Sequence, residues 1–210
     1  RFSVALSGGS TPRPIHRMLT EEPFLSKIPW NRTHLFWVDE RCVPVTDPAS
    51  NYGAAMADFL DRVPTPEDQV HPMPVDLAPE EGAVAYQVEL VRFFQTRPSE
   101  MPVFDLICLG IGTDGHTASL FPGQSTLSET QRMVVAVRGG DPYVDRLTMT
   151  LPLINNARQI VFLVSGKKKA MILKAILKGP PGRFPAQMIH PVHGNLTYIL
   201  DREAASMFNP

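Results

Sequence analysis

Apolar and β-branched residues gather in seven short runs, at 2–6, 33–38, 103–109, 133–137, 147–151, 159–165 and 196–200. Runs of about four to eight such residues bounded by turn-formers read as buried strands. Between them lie stretches with helical spacing near 12–20, 51–62, 80–96, 166–177 and 201–207. Strand and helix in alternation predict an α/β chain with a mostly parallel sheet, because parallel neighbours need a crossover long enough to bring the chain back. Pro-rich connectors at 64–79, 98–102 and 180–191 hold many of the 21 prolines. They suit rigid surface crossovers better than a flexible linker.

Composition narrows this picture. With 210 residues and 43% hydrophobic content, the chain can bury one sizeable core, and it is read as one domain over 1–210. Arg1 runs almost at once into Phe2–Leu6 without an initial Met, so residues upstream of the first strand are expected. The formal charge of −1, with no basic stripe interleaved with aromatics, argues against nucleic acid and against an anionic membrane surface. A small molecule is the expected partner, and the oligomeric state stays open. No apolar run approaches the roughly 20 residues that span a bilayer, and no charged-then-apolar leader is present, so a cytoplasmic location is expected. Cys42 and Cys108 sit beside or within apolar runs, where a buried thiol is commoner than a disulfide or a metal ligand.

Candidate chemistry collects after the strand-like runs. Ser7-Gly8-Gly9-Ser10-Thr11-Pro12 follows the first strand and precedes a helix-like segment. Its glycines allow a sharp turn and close approach to a ligand, Ser10 or Thr11 can cap the helix, and Pro12 suits its first position. Capping and phosphate binding use the same residues, so the turn alone does not separate them.

The run Phe104–Leu109 opens into Gly110-Ile-Gly-Thr-Asp-Gly-His-Thr-Ala-Ser-Leu-Phe-Pro-Gly123. Gly110, Gly112 and Gly115 match the spacing of a dinucleotide fingerprint, but that site also needs a helix opening there and an acidic residue at the end of the next strand. Glu129 has roughly the right separation and lies in a polar, turn-like stretch, so a nucleotide is disfavoured. His116, set between a glycine and two hydroxyl residues, is the candidate general base. Asp114 has three open roles: orienting that imidazole, contacting a sugar hydroxyl, or stabilising the turn.

Asp39-Glu40-Arg41 follows a strand-like run, where a guanidinium can grip phosphate or carboxylate as a fork. Ser50-Asn51-Tyr52-Gly53 reads as a helix start that capping explains fully. Arg146 opens a strand-like run, and Lys167-Lys168-Lys169 follows another. Cations near a helix start oppose its dipole unless an anion sits there, which points weakly to phosphate.

Taken in order, Ser7 to Pro12, Asp39-Glu40-Arg41-x-Val43-Pro44, Ser50 to Gly53, Gly110 to Gly123, and Arg146-Leu147-Thr148-x-Thr150-Leu151-Pro152 with Asn155 resemble the 6-phosphogluconolactonase family. The Asp-Gly-His-Thr-Ala-Ser-Leu-Phe-Pro block is the specific part. The Ser-Gly-Gly-Ser-Thr-Pro turn is shared with the related glucosamine-6-phosphate deaminases. The resemblance implies a Rossmann-like sheet flanked by helices, of the ribose-phosphate isomerase and deaminase type, with no metal or redox cofactor. It implies hydrolysis of a sugar-phosphate lactone in the oxidative pentose phosphate pathway. His116 would activate water, with Asp114 beside it. Ser7, Gly8, Gly9, Ser10 and Thr11 would hold phosphate with Arg146 and Lys169, and Asp39 and Arg41 would contact substrate. Where the deaminases tend to place tyrosine after Asp-Glu this chain has Arg41, and their Asp-Gly-His block continues to Asn-Glu-Pro. Two rivals stand beside this reading: an amino-sugar phosphate deaminase or isomerase using a carboxylate base such as Asp39, and a non-catalytic sugar-phosphate sensor.

Overall fold

The parallel sheet begins with β1 (Phe2–Leu6), which pairs with β2 (Thr33–Trp37) on one side and, further along the chain, with β5 on the other. The computed structural model describes residues 1–208. Between these first two strands lie α1 (Arg13–Met18) and α2 (Phe24–Lys27). Then come β3 (Asp39–Arg41), α3 (Asn51–Asp58), β4 (Val70–His71), α4 (Pro79–Phe94) and β5 (Leu106–Leu109). The second half adds β6 (Val134–Gly139), β7 (Val144–Met149), α5 (Leu151–Asn155), β8 (Gln159–Val164), α6 (Ala170–Lys178) and β9 (Asn195–Leu200).

Six strands, ordered β4-β2-β1-β5-β8-β9, form a sheet whose described pairings are all parallel. The expected α/β class is therefore observed. In β5 and β8 burial alternates: Ile107, Leu109, Ile160 and Phe162 are fully buried on one face, while Leu106, Cys108, Val161 and Leu163 on the other are half-buried. From β1 the chain works outward to β2 and β4, then returns to β5 and works the other way. The strand order thus reverses between β1 and β5, and ligands of open α/β sheets bind outside the carboxyl ends of strands at such a point.

Three expectations are corrected. The runs at 133–137 and 147–151 do not join the parallel sheet: β6 and β7 form an antiparallel hairpin, and β3 completes a second sheet ordered β3-β7-β6. The chain crosses between sheets at Val38, whose N–H donates to Leu6 and whose carbonyl accepts from Met149. The strand ends at Met149, because Pro152 in the first turn starts α5 instead. Residues 201–207 form turns rather than a helix. That stretch is short for helix nucleation, and its Asp201 and Glu203 side chains engage backbone at Gly166 and Lys167.

α4 packs its buried face, Gly82, Ala83, Tyr86 and Leu90, against the second sheet. The Tyr86 hydroxyl bridges β2 and β4 of the parallel sheet, accepting from Trp37 N–H at 3.2 Å and donating to the His71 carbonyl at 3.1 Å. Among the described residues no helix is long and apolar enough to cross a membrane.

Candidate functional site

A cleft of about 280 Å³ opens over the carboxyl ends of β1 and β5, at the point where the strand order reverses. Ser7, Gly8, Gly9, Ser10 and Thr11 line it from the β1 side, and Gly110, Gly112, Thr113 and His116 from the β5 side. Asp39, Arg41 and Arg146 reach it from the second sheet, and Lys169 from the turn after β8. Every sequence-derived candidate lines this cleft except Asp114, which stands directly behind His116.

The β1 loop is open in its hydrogen bonding. Among the described residues the N–H groups of Gly8, Gly9, Ser10 and Thr11 have no protein acceptor. Gly9 takes φ +90°, the conformation that turns successive amides toward one side. Gly8 is required for another reason: a Cβ there would lie 1.8 Å from Asn51 Oδ1. The expected side-chain cap of α1 is not formed, since Pro12 occupies the cap position and Thr11 Oγ1 instead pairs with Ser165 Oγ at 3.0 Å. That pair ties the β1 loop to the turn carrying Lys169.

The β5 loop is closed on itself. Gly112 N–H donates to the His116 carbonyl, Gly115 N–H to the Gly112 carbonyl, and Thr117 Oγ1 to the Gly110 carbonyl. His116 Nδ1 lies 2.6 Å from Asp114 Oδ1, which also accepts the His116 N–H at 3.2 Å. Of the three roles open to Asp114, the orienting and turn-stabilising ones are combined. Burial works to raise the Asp114 carboxyl, but the charge and hydrogen bonds of His116 prevail and hold it below its ordinary value. An ionised Asp114 accepts only, so in the neutral imidazole the proton sits on Nδ1 and Nε2 carries the lone pair.

The cations are held apart from one another by fixed contacts. Arg146 is buried, its Nε donating to the Gly139 carbonyl at 2.8 Å and one terminal nitrogen to the Pro142 carbonyl at 3.0 Å. Arg41 is its direct cross-strand partner, an arrangement of like charges that favours an anion between or beside them. Burial, and then Arg41, push the Arg146 guanidinium below its usual pKa. Lys169 donates from Nζ to the Ile111 carbonyl at 2.6 Å, and its burial likewise lowers the ammonium pKa while Asp114 opposes the change. Of the three lysines, Lys169 is the one that lines the cleft. The anion expected at that helix start is supplied by the chain itself: Asp201 accepts the Gly166 N–H at 2.9 Å and Glu203 the Lys167 N–H at 3.3 Å.

Three residues escaped the sequence reading as site components. Asn51 is buried, lines the cleft, and donates from Nδ2 to the Asp39 carbonyl at 2.8 Å. Ser119 donates to Asp39 Oδ2 at 2.6 Å. Glu40, read as part of a charge cluster, is buried and accepts the N–H groups of Arg41, Asn51 and Tyr52. Burial raises its pKa against those bonds. Ser50 caps α3 as expected, accepting from Gly53 N–H at 3.0 Å. Glu129 binds Arg132 in the turn that precedes β6, not at the end of a strand. Both cysteines are free and partly buried, each thiol pushed up to about 11 by burial.

Residues 1–198 match the family model described as glucosamine-6-phosphate isomerases/6-phosphogluconolactonase. The chain is 44% identical over 212 residues to a 6-phosphogluconolactonase of Synechocystis, covering 99% of this chain and 85% of that protein. It is 38% identical to the 6-phosphogluconolactonase of Nostoc, covering 98% of this chain and 84% of the relative. The solved structure of 6-phosphogluconolactonase from Trypanosoma cruzi superposes with a TM-score of 0.87 at 34% identity, covering 100% of this chain and 85% of that one.

Proposed function

The chain belongs to the glucosamine-6-phosphate isomerase and 6-phosphogluconolactonase family, and from that premise we propose that it hydrolyses 6-phosphoglucono-δ-lactone to 6-phosphogluconate. The observation that carries this reading is the pairing of Asp114 with His116 at one side of a cleft whose other walls hold unpaired amides, Lys169 and Arg146.

Each part of the reaction has a group suited to it. The amides of Gly8 to Thr11, with Lys169 and Arg146, hold the phosphate and so fix the ring. His116 Nε2 takes a proton from water as the water oxygen bonds to the lactone carbonyl carbon. The carbonyl oxygen gains charge, which the cationic cleft stabilises. Collapse of the tetrahedral species breaks the bond to the ring oxygen, and the imidazolium returns its proton there. The products are a free hydroxyl and a carboxylic acid, which ionises. No nucleophilic side chain is consumed.

The deaminase or isomerase alternative requires Asp39 as a mobile base. Asp39 is buried with Oδ2 held by Ser119 and its carbonyl by Asn51, which suits a structural contact with the cationic wall better than proton abstraction.

The test compares wild type with His116→Ala on lactone generated in situ, against the spontaneous rate. The mutant is expected to lose about 10²–10⁴-fold in turnover, while its affinity for 6-phosphogluconate stays close to wild type. Equal loss of binding and turnover would make His116 a structural residue. Tight binding of 6-phosphogluconate by a wild type that never accelerates hydrolysis would favour the sensor.

A further inference from the structure

Phe121 ends the Thr117–Phe121 segment, buried and outside the cleft wall. Its ring centroid lies 4.9 Å from that of His116 and 5.6 Å from Arg146 Cζ. One side chain outside the cleft wall thus lies against both the base and the buried cation of the anion site. An imidazole tilted on a phenyl ring and a guanidinium near its face are each favourable geometries.

The surroundings are shaped to this ring. A Cβ on Gly139 would come within 3.0 Å of Phe121 Cδ2, and one on Gly140 within 2.9 Å of Cζ and 2.5 Å of an Arg146 terminal nitrogen. Two consecutive glycines therefore make room for the ring and for the guanidinium. The backbone approaching Phe121 is also constrained: Ala118 takes φ +48°, in the turn closed by Leu120 N–H on the Thr117 carbonyl at 2.9 Å. A non-glycine residue held left-handed is strained and persists where surrounding structure enforces it. That strain is the local cost of aiming Leu120 into the core and Phe121 between base and anchor.

We propose that Phe121 is a positioning residue that couples the anion anchor to the base, so that phosphate held at Arg146 fixes the orientation of His116. The proposal rests on the lactonase reading, and its consequence is selective. Phosphate on the substrate raises turnover as well as affinity, because an occupied anchor steadies the ring that His116 packs on.

The experiment measures kcat and KM for phosphorylated and unphosphorylated gluconolactone in wild type, Phe121→Leu and Phe121→Met, with thermal unfolding confirming that each variant folds. The leucine variant is expected to lose about 10-fold in kcat on the phosphorylated lactone, with a much smaller loss on the unphosphorylated one. Methionine, which refills the volume, is expected to recover part of it. Equal losses on both substrates would overturn the proposal, since a packing defect does not distinguish them. A second readout is independent of turnover: the His116 ring resonance is followed as inorganic phosphate is added. It is expected to move in wild type and to respond less in both variants, and equal movement in all three overturns the coupling. Wild type that lacks lactonase activity but shows the phosphate response would refute the reaction while leaving the coupling standing.

Discussion

Two glycine loops leave neighbouring parallel strands at the same edge of the sheet, and they satisfy their backbone in opposite ways. After β5, the amides of Gly112 and Gly115, the Thr117 hydroxyl and the Asp114 carboxylate are all spent inside the loop. After β1, four successive amides from Gly8 to Thr11 have no protein acceptor among the described residues, and the loop is steadied from outside by Asn51 and Ser165. Backbone amides with no protein acceptor are left to water or to a ligand, so the two loops are suited to different work. A closed loop presents a fixed side chain, and an open one leaves its backbone free to meet an anion.

Filling the closed loop should do the most damage. A Cβ on Gly112 would lie 2.1 Å from His116 Nδ1 and 2.6 Å from Asp114 Oδ1. Gly112→Ala must therefore separate the Asp–His pair or move the loop, and kcat is expected to fall about 100-fold, the scale of losing catalytic alignment. Affinity for 6-phosphogluconate, measured by calorimetry, should be preserved. If affinity falls in step with kcat, the two loops are not functionally separate.

The matching change in the open loop is Gly8→Ala, whose Cβ would meet Asn51 Oδ1 at 1.8 Å. Displacing Asn51 frees the Asp39 carbonyl and shifts the cradle, and losing one charge-assisted bond to phosphate weakens binding about 10-fold. The loss should appear in KM for the phosphorylated lactone, with turnover of the unphosphorylated lactone little altered. A uniform loss on both substrates would deny the β1 loop its anion role.

Much of this contrast was legible in the sequence, and the reasons differ by region. The turns after β1 and β5 announce themselves because a buried apolar run, glycines and polar residues fall within a few positions of each other. The partners that make the site specific do not. Asp39 meets Ser119 across 80 residues of chain, and Arg41 faces Arg146 only because β3 joins a second sheet with β7. A three-residue strand of Asp-Glu-Arg has no apolar pattern, so it reads as a charge cluster until the pairing is seen. The hairpin β6–β7 carries the same β-branched signature as the parallel strands, and composition alone does not tell one sheet from the other. Glu40 is hidden for a similar reason: its burial follows from three backbone amides that converge on it from β3 and the start of α3.

The open loop also depends on support from below, and this gives the mildest prediction. α1, which follows it, has six residues and no side-chain cap, so it holds its place through tertiary contacts. Arg13 donates from Nε to Asp58 Oδ2 at 2.6 Å and Arg17 to Oδ1 at 2.9 Å, tying α1 to α3. The Asp58 side chain is 3% exposed, while those of Arg13 and Arg17 are 43% and 56% exposed. The Arg13 hydrogen bond is the main cause holding the Asp58 carboxyl below its ordinary value, with burial opposing it and Arg17 assisting. A carboxyl with a depressed folded pKa adds stability that is complete above its unfolded value of about 3.9 and is lost as pH falls through the folded value. Solvent screening of the exposed guanidiniums limits the contribution to about 1 kcal/mol. Asp58→Asn should therefore lower the neutral-pH unfolding midpoint by about 2–4 °C, and the gap should close as both proteins are taken to acid below the carboxylate range. A gap that persists there would show that α1 is held by packing alone. The Asp114–His116 geometry, built within its own loop, should be untouched at neutral pH, so kcat in the variant should match wild type even where phosphate binding weakens.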